Sequence, residues 1–406
     1  MFTFFIQLID LLKDHRLGSF FVFFLVSWAV FIAKIIVMNT RKPLQGLNPE
    51  KMLGGSVSVI IPIVDEPMDI WKQTLSRLAI ALKGINVADV VVVFNGNYSK
   101  ENVNLALKMG YTTLFEPTAS KRRAILLGSE YIKGDITIIL DSDTRIGADS
   151  VAKLIKVFED KKVGGATPQH VVQRLNVMRI ISNWLEDIRF NEVVRGQSSF
   201  GSVSCLPGRM LAIRTPLLKA FAPRLASQTF LGSLCISGDD RYLTSEILNL
   251  GFKTVYVEDA LVMTEAPDTL GKFAQQRLRW SRTSFRESLR AIDWAPKYPW
   301  MAFTNYSMII LRWWFFYVIV TAIMAWIGLI DRDHAINLPF WFMMIGTFIG
   351  FFISGTIRQL RHLMKYPEDF RYLPVFLFVT TFILTPIEWW GNLTVRESGW
   401  MTRNTK

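Results

Sequence analysis

The sequence is poor in cysteine: among its 406 residues only Cys205 and Cys235 carry a thiol. Two cysteines cannot build the disulfide framework of a small secreted protein, and they fit a reducing compartment. The cysteines and the four histidines form no cluster with the spacing of zinc ligands. Internal repeats and low-complexity tracts are also lacking, which excludes solenoid and repetitive disordered proteins.

What is abundant is apolar sequence with an excess of positive charge. Half of the residues are hydrophobic and 13% are aromatic, which excludes a disordered chain. The mean hydropathy of +0.27 is high for a soluble enzyme and indicates membrane segments. The net charge of +12 indicates basic cytoplasmic loops first, and anionic substrates or lipid headgroups second. Nucleic acid is not an expected partner.

The N-terminal region contains one candidate membrane helix. Residues 19–38 carry a single Lys among about 20 apolar or uncharged positions, enough to cross a bilayer core. No small-residue cleavage site follows, so we expect an anchor rather than a signal peptide. Residues 1–18 have apolar positions at helical spacing and are predicted to lie in the membrane interface.

The C-terminal third contains about three further membrane helices, predicted within 301–395. The apolar runs are 301–330, 338–357 and 373–395, followed by a tail at 396–406. The basic loop between the last two runs, 358–371, is predicted to be cytoplasmic. Alternation across the membrane then predicts that residues 40–300 lie on the cytoplasmic side as well.

The region 40–270 has the composition of a soluble α/β domain. Its apolar runs at Val57–Ile63, Val90–Phe94 and Ile136–Leu140 predict buried strands, with helical patterns at 71–83 and 101–109 between them. Strands that alternate with helices predict a doubly wound sheet. In such sheets ligands bind at the carboxyl ends of the strands.

The strongest of the groups that follow these strands is the pair Asp141 and Asp143. Two carboxylates at a strand end suit Mg²⁺ or Mn²⁺, with phosphate oxygens as the remaining ligands. The alternative is a polar turn that precedes a helix near Asp149.

Two polar clusters lie at predicted helix starts. The triplet Lys121–Arg123 is suited to a diphosphate, although such triplets are usually solvated. The segment Gly238–Arg241 offers an acid as general base at a helix start, and its alternative is a capped helix with acids favoured by the helix dipole.

The segment 271–298 is basic and amphipathic, which predicts interface helices. It contains the sequence QRLRW at 276–280. A Trp offers a stacking face to a sugar or base, and an Arg offers a fork to phosphate.

Together, DSD at 141–143, GDDR at 238–241 and QRLRW at 276–280, with membrane helices on both sides, resemble the membrane-integrated processive family 2 glycosyltransferases. These include the hyaluronan, cellulose and chitin-oligosaccharide synthases. The resemblance implies a cytosolic, GT-A-like nucleotide-sugar-binding domain inserted between transmembrane helices. It also implies Mn²⁺ or Mg²⁺ as cofactor.

The resemblance assigns roles to individual positions. Asp240 matches the general base, with Asp239 beside it, and Asp141 and Asp143 match the acids that hold the metal and the nucleotide sugar. The substrate contacts that it implies are Asp65, Glu66, Asn95, Lys121, Asp141, Asp143, Cys205, Pro207, Gly208, Arg209, Arg241, Gln276, Arg279 and Trp280. One departure is Asn95, which stands where family members often carry an acidic pair. Its amide still offers a donor and an acceptor to a base edge.

The resemblance further implies an inverting enzyme that polymerises UDP-sugars into a β-linked polysaccharide. The stretches 61–67, 205–209 and 275–280 are similar to those of type 3 capsular polysaccharide synthases, which implies a polymer of glucose and glucuronic acid. Hyaluronan or chitin oligosaccharide is the second candidate product. Competing functions are a non-processive transferase acting on a lipid carrier and an export subunit without chemistry.

We also expect the polymer to leave through the protein's own membrane region. Arg312, Trp313 and Glu388 are candidate channel residues, because intramembrane ionisable groups usually face a protein interior. The alternative is snorkelling of the charged groups beside an aromatic belt. We expect a monomer in the plasma (inner) membrane, in contact with lipid, with its catalytic domain in the cytoplasm.

Overall fold

The computed structural model describes residues 15–42, 55–327 and 340–399. The predicted interfacial segment therefore lies outside the described residues up to residue 14, and the predicted tail from residue 400 onward. The chain enters the described region through helix α1 (His15–Thr40).

The first half of the central sheet is parallel. Its strands and helices are β1 (Val57–Ile63), α2 (Met68–Ala81), β2 (Val87–Asn95), α3 (Lys100–Lys108), β3 (Thr112–Glu116), α4 (Lys121–Tyr131) and β4 (Ile136–Leu140). The strands pair side by side in the order β3-β2-β1-β4. β1 and β4 are buried along their whole length, as expected for runs of Val and Ile covered on both faces. The predicted strands and the two predicted helices are thereby confirmed, within a few residues at their ends.

The second half of the sheet is mixed. Its elements are β5 (Arg145–Ile146), α5 (Ser150–Lys156), β6 (Val163–Val172), α6 (Val177–Ile188), α7 (Arg195–Ser199), β7 (Met210–Arg214), α8 (Thr215–Ser227), the hairpin of β8 (Thr229–Phe230) and β9 (Ser233–Leu234), α9 (Asp239–Asn249) and β10 (Lys253–Thr264). The sheet continues from β4 in the order β7-β6-β10-β5. Because β7 runs antiparallel to β4, its first residues lie beside the end of β4.

Apolar side chains cover both faces of this sheet. One core contains Trp71 of α2 and Phe94 of β2, and the other contains Ile125 of α4 and Leu243 of α9. The result is the layered α/β architecture that the alternating pattern predicts.

The chain then forms helices that lead into the membrane region: α10 (Leu270–Arg290), α11 (Pro299–Trp326), α12 (Phe340–Lys365), α13 (Leu373–Phe378) and α14 (Thr385–Leu393). Within the described residues, three helical segments are long and apolar enough to cross a membrane: Val22–Thr40, Pro299–Thr321 and Pro367–Leu393. The predicted run 338–357 begins outside the described residues and enters α12 at Phe340.

The α/β domain and the membrane helices share a buried contact. Trp184 of α6, Phe273 of α10 and Phe376 of α13 belong to one apolar cluster, and the rings of Trp184 and Phe376 stack with centroids 4.2 Å apart. α10 also approaches α14 closely, since a Cβ added to Gly391 would lie 2.6 Å from Ser281 Oγ. The hydroxyl of Ser281 donates to the carbonyl of Glu388 at 3.2 Å.

Candidate active site

The acidic turn after β4 is supported from two neighbouring segments. The amide of Asp141 donates to the carbonyl of Arg209 at 3.0 Å, where β7 begins beside the end of β4. Ser142 donates through its hydroxyl to Glu66 at 2.8 Å, and both side chains are buried. These contacts fix the turn so that Asp141 and Asp143 line a cavity at the strand ends.

Lys121 joins this turn to the second acidic segment. Its Nζ lies 2.6 Å from Asp141 Oδ1 and 3.1 Å from Asp239 Oδ2. Burial alone would lower the pKa of Lys121, but the two carboxylates outweigh burial and raise it well above its usual value. The ammonium group therefore keeps its charge at the reaction centre throughout the physiological pH range.

The three residues of the basic triplet Lys121–Arg123 have three different roles. Only Lys121 of the three lines the cavity. Arg122 is buried and donates to the carbonyl of Ser237 at 2.8 Å, whereas Arg123 pairs with Glu116 at 2.9 Å. The triplet therefore does not act as one diphosphate site, because the fold turns two of its side chains toward protein partners.

The acids at the start of α9 are held by a tight backbone turn. Gly238 has a φ of 86°, and a Cβ added there would lie 2.0 Å from Thr283 Cγ2. The preceding carbonyl, that of Ser237, accepts from both Arg122 at 2.8 Å and Arg286 at 2.7 Å. This role was not expected from the sequence for either arginine, since nothing in a local pattern marks a buried charge beneath a loop.

Asp239 and Asp240 have different surroundings. Burial alone would raise the pKa of Asp239, but Lys121 and Arg122 outweigh it and the pKa is lowered. Asp240 faces the loop that precedes β7: its Oδ2 accepts from the amide of Gly208 at 3.2 Å. Both acids line the cavity, Asp239 as the counter-charge of Lys121 and Asp240 beside the amide of Gly208.

The loop before β7 lines the cavity with Cys205, Pro207, Gly208 and Arg209. The Cys205 Sγ lies 3.8 Å from Asp240 Oδ2. Burial raises the pKa of the Cys205 thiol to about 11, so the sulfur stays protonated at neutral pH. A protonated, buried thiol fits packing rather than nucleophilic chemistry.

The motif on α10 brings Gln276, Arg279 and Trp280 to the same cavity. The guanidinium carbons of Arg209 and Arg277 lie 5.6 and 5.0 Å from the centre of the Trp280 ring. Both are within the range of cation–π attraction. The indole thus borders the cavity with its orientation supported by two cations.

Asn95, the last residue of β2, lines the same cavity and is buried with one unsatisfied atom. Its Nδ2 donates to the carbonyl of Ile63 at 2.9 Å, but no group among the described residues donates to its Oδ1. A buried acceptor without a donor is costly unless a ligand supplies one. A base edge with an N–H group would satisfy it.

Asp65 and Glu66 lie outside the cavity lining. Asp65 is exposed, and Glu66 is directed toward Ser142 as described above. Arg241, in contrast, is one of the lining residues. Direct substrate contact by Asp65 and Glu66 stays a prediction, and the structure gives Glu66 a role in supporting the acidic turn.

The cavity has a volume of about 710 Å³ and continues from the α/β domain into the membrane helices. Its membrane end is lined by Lys34, Asn305, Met308, Ile309, Arg312, Glu388 and Asn392. Arg312 Nε and Glu388 Oε2 form an ion pair at 2.7 Å. Trp313, predicted beside them, donates to the side-chain oxygen of Asn392 at 3.2 Å in the amide orientation that satisfies both groups.

The fold and the cavity are those of a glycosyltransferase of the GT-A-like class. The family described as "Glycosyltransferase like family 2" matches residues 55–283, more than half of the chain, and the chain belongs to that family.

The similarity to named relatives extends over most of the chain. An N-acetylglucosaminyltransferase of Neorhizobium galegae is 27% identical, covering 86% of this chain and 80% of its own. A hyaluronan synthase of Streptococcus pyogenes serotype M6 is 25% identical, covering 99% and 96%. A solved structure of the mannosyltransferase PcManGT from Pyrobaculum calidifontis, in complex with GDP-Man and Mn²⁺, has a TM-score of 0.60 at 15% identity, covering 96% and 98%. This structural likeness supports the same fold.

Proposed function

We propose that the protein is a processive, inverting glycosyltransferase that polymerises UDP-sugars and exports the product through its membrane region. The observation that carries this proposal is the single cavity that contains Asp141, Asp240 and Trp280 and continues to the ion pair of Arg312 and Glu388. A transferase that releases short products into the cytoplasm has no need of a polar cavity between membrane helices.

The residues suggest how transfer proceeds. Asp240 accepts the proton of the acceptor hydroxyl as the new C–O bond forms at the anomeric carbon. The bond from that carbon to the diphosphate breaks on the opposite side, so the configuration inverts and UDP leaves with the bonding electrons. Lys121 and Arg279 stabilise the charge that develops on the diphosphate.

A divalent cation fits the acidic turn. Asp141 and Asp143 supply two carboxylates, and within the described residues no group of three or more His, Cys, Asp or Glu side chains is arranged to hold a metal ion. Mg²⁺ and Mn²⁺ often bind through one or two carboxylates and complete their shell with substrate phosphates. When bound, the cation neutralises charge on the diphosphate, and the Mn²⁺ of the related mannosyltransferase structure supports this assignment.

The donor end of the cavity suits a pyrimidine nucleotide. The unsatisfied Oδ1 of Asn95 would accept from the N–H of a uracil edge. Lys121 lines the same cavity beside Asp141 and Asp239, where its ammonium group can contact a diphosphate. We therefore assign the nucleotide to the end at Asn95 and the acceptor to the end at Trp280.

Two compositions of the product are supported by different observations. The similarity of residues 61–67, 205–209 and 275–280 to type 3 capsular polysaccharide synthases favours glucose with glucuronic acid. The names of the relatives, an N-acetylglucosaminyltransferase and a hyaluronan synthase, favour a polymer that contains N-acetylglucosamine. We propose the glucose and glucuronic acid polymer, with hyaluronan or chitin oligosaccharide as the second candidate.

We further propose that the protein acts as a monomer in the plasma (inner) membrane with its α/β domain in the cytoplasm. The basic stretch at 358–371, which follows the apolar part of α12, supports this orientation. Two free, unpaired cysteines agree with a reducing compartment around the domain.

Donor-dependent polymer synthesis tests these proposals. The protein would be purified in detergent and supplied with Mn²⁺ or Mg²⁺ and with UDP-glucose, UDP-glucuronate and UDP-N-acetylglucosamine, singly and in pairs. We expect high-molecular-weight product only with the glucose and glucuronate donors together. Product with glucuronate and N-acetylglucosamine donors would identify a hyaluronan synthase, and product from N-acetylglucosamine alone a chitin-type enzyme. Short products would favour a non-processive transferase, and no UDP release with any donor would favour an export subunit.

A further inference from the structure

Glu186 of α6 is a buried acid at the centre of an arginine cluster. Its side chain is only 2% exposed. One carboxylate oxygen lies 3.1 Å from Arg209 Nη1, and the other lies 3.4 Å from Arg189 Nη1. Arg277 adds a third cation that is attracted to the same carboxylate. No local sequence pattern indicates this role, because Glu186 lies in no motif.

The electrostatics of the cluster indicate that Glu186 is its main counter-charge. Burial alone would raise the pKa of Glu186, yet the surrounding arginines lower it to about 2. Burial among other cations lowers the pKa of Arg277 to about 10, and Glu186 is the strongest influence in the opposite direction. Asp240 and Glu388 also attract Arg189 and Arg277, respectively, but both acids line the cavity, and Glu388 is paired with Arg312.

The same arginines are in contact with the motif tryptophan. The guanidinium groups of Arg209 and Arg277 lie 5.6 and 5.0 Å from the centre of the Trp280 ring, and Arg209 also lies 3.4 Å from His170 Nδ1. Burial and the charge of Arg209 lower the pKa of His170 well below its usual value, so this imidazole is neutral and adds no counter-charge. Among these neighbours, Glu186 is the anion that holds Arg209.

We propose that Glu186 is a positioning residue for the acceptor side of the site: its carboxylate holds Arg209 against Trp280 and so supports the indole face that borders the acceptor. The inference rests on the proposed function, since it takes the end of the cavity at Trp280 as the acceptor end. Glu186 itself touches no substrate. It acts through Arg209, which lines the cavity.

The first test replaces the charge while keeping the shape, with Glu186→Gln. We expect the turnover number for transfer to fall by up to about 100-fold, as for a misplaced positioning group, with the KM for the nucleotide sugar unchanged. Glu246→Gln is the matched control, because Glu246 also pairs with an arginine, Arg290 at 3.2 Å, but lies outside the cavity lining. Its turnover should equal that of wild type. Wild-type turnover in Glu186→Gln would overturn the proposal.

The second test separates positioning from simple charge neutralisation. The double variant Glu186→Gln/Arg209→Gln removes the acid together with the arginine that lies closest to it, so one of the buried cations left without this counter-charge is gone, and the thermal midpoint of unfolding should rise above that of Glu186→Gln. Turnover should stay as low as in Arg209→Gln, because the support of Trp280 is still missing. If turnover recovers together with the thermal midpoint, Glu186 has only a structural role. Glu186→Asp, which retains the charge but shortens the reach, takes the place of Glu186→Gln if that variant does not fold.

A third readout does not depend on transfer activity. Acrylamide quenching of each protein, minus that of the same protein with Trp280→Phe, isolates the fluorescence of Trp280. Loss of Glu186 should raise the quenching of Trp280, since Arg209 is no longer held over its ring. Unchanged quenching would refute the positioning role even if wild type transfers no sugar from any donor, a result that would count against the proposed function separately.

Discussion

At the scale of single residues, Lys121 determines which acids of the site are paired with a cation. It contacts Asp141 and Asp239 at 2.6 and 3.1 Å, and so commits both carboxylates to one cation. Asp240 lies one residue further, beside the amide of Gly208. The first of the two neighbouring acids in α9 is therefore paired with a cation, and the second, which we propose as the general base, is not within ion-pair distance of Lys121.

Replacement of Asp240 by Asn tests this division. An amide cannot accept the proton of the acceptor hydroxyl, so we expect transfer to fall by roughly 10²–10⁴-fold. Affinity for UDP should stay near that of wild type, because Asp240 makes no contact with Lys121 within ion-pair distance. UDP release measures the first effect and titration calorimetry the second. Polymer synthesis at an undiminished rate would remove Asp240 from the role of base.

The thiol of Cys205 supports a prediction of pH dependence. Its pKa of about 11 lies above neutrality, so the thiolate fraction rises about tenfold with each pH unit between pH 7 and pH 10. Alkylation by iodoacetamide in a Cys235→Ala background should therefore be slow at pH 7 and accelerate by that factor per unit. The same protein unfolded in detergent and urea supplies the rate of an ordinary cysteine. Equal rates for folded and unfolded protein at pH 7 would contradict a buried thiol.

The sequence predicted the polar residues that face the cavity better than those behind them. The acids at strand ends and the motif tryptophan could be predicted, because the positions of the strands and of the motif along the sequence determine where these residues lie. Arg122, Arg286 and Glu186 are buried charges that contact residues distant in the chain. Their partners come from tertiary packing, which no local pattern encodes.

At the scale of elements, the reversed strand β7 explains why one loop reaches the centre of the site. A strand parallel to β4 would have its last residue at the edge of the sheet that borders the cavity, whereas β7 has its first residue there. The segment Cys205–Arg209 thus ends beside Asp141. The alternating pattern predicts the parallel half of the sheet, but it carries no information about the direction of β7.

The turn before α9 requires glycine at position 238 for two separate reasons. Its φ is positive, and Thr283 leaves no space for a Cβ. We expect Gly238→Ala to destabilise the fold by at least about 1–3 kcal/mol and to displace Asp240, with loss of turnover. Gly251→Ala is the matched control, because Gly251 has a φ of +87° but no atom within 4 Å of an added Cβ. Thermal midpoints in detergent compare the two. An equal decrease for both variants would show that the contact with Thr283 is unimportant.

At the scale of the whole molecule, the α/β domain and the membrane helices share one cavity. The order of an apolar helix, an α/β domain, the motif helix and further apolar helices was predictable, because hydropathy and strand patterns are local properties of the sequence. The pairing of Arg312 with Glu388 could not be predicted, since these two residues lie on different helices and more than 70 positions apart in the chain. Their alignment depends on how α11 and α14 pack together.

This ion pair yields a test of export. Arg312→Glu places two acids in contact at the membrane end of the cavity, and product length should decrease while the first sugar transfer continues. The exchanged pair, Arg312→Glu/Glu388→Arg, restores opposite charges and should recover longer products. Gel filtration of labelled product gives the length, and UDP release during the first additions gives the rate. Full-length polymer from the single variant would exclude this ion pair from the path of the product.

The contact between α10 and α14 has a consequence for how the surrounding lipid influences the enzyme. Ser281, which donates to the carbonyl of Glu388, directly follows Trp280 in the chain. Membrane helices change their tilt when the bilayer is thicker or thinner than their apolar length. We therefore expect a tilt of α14 to be transmitted through this hydrogen bond to the indole that lines the cavity, so that the acyl-chain length of the host lipids alters the rate of sugar transfer.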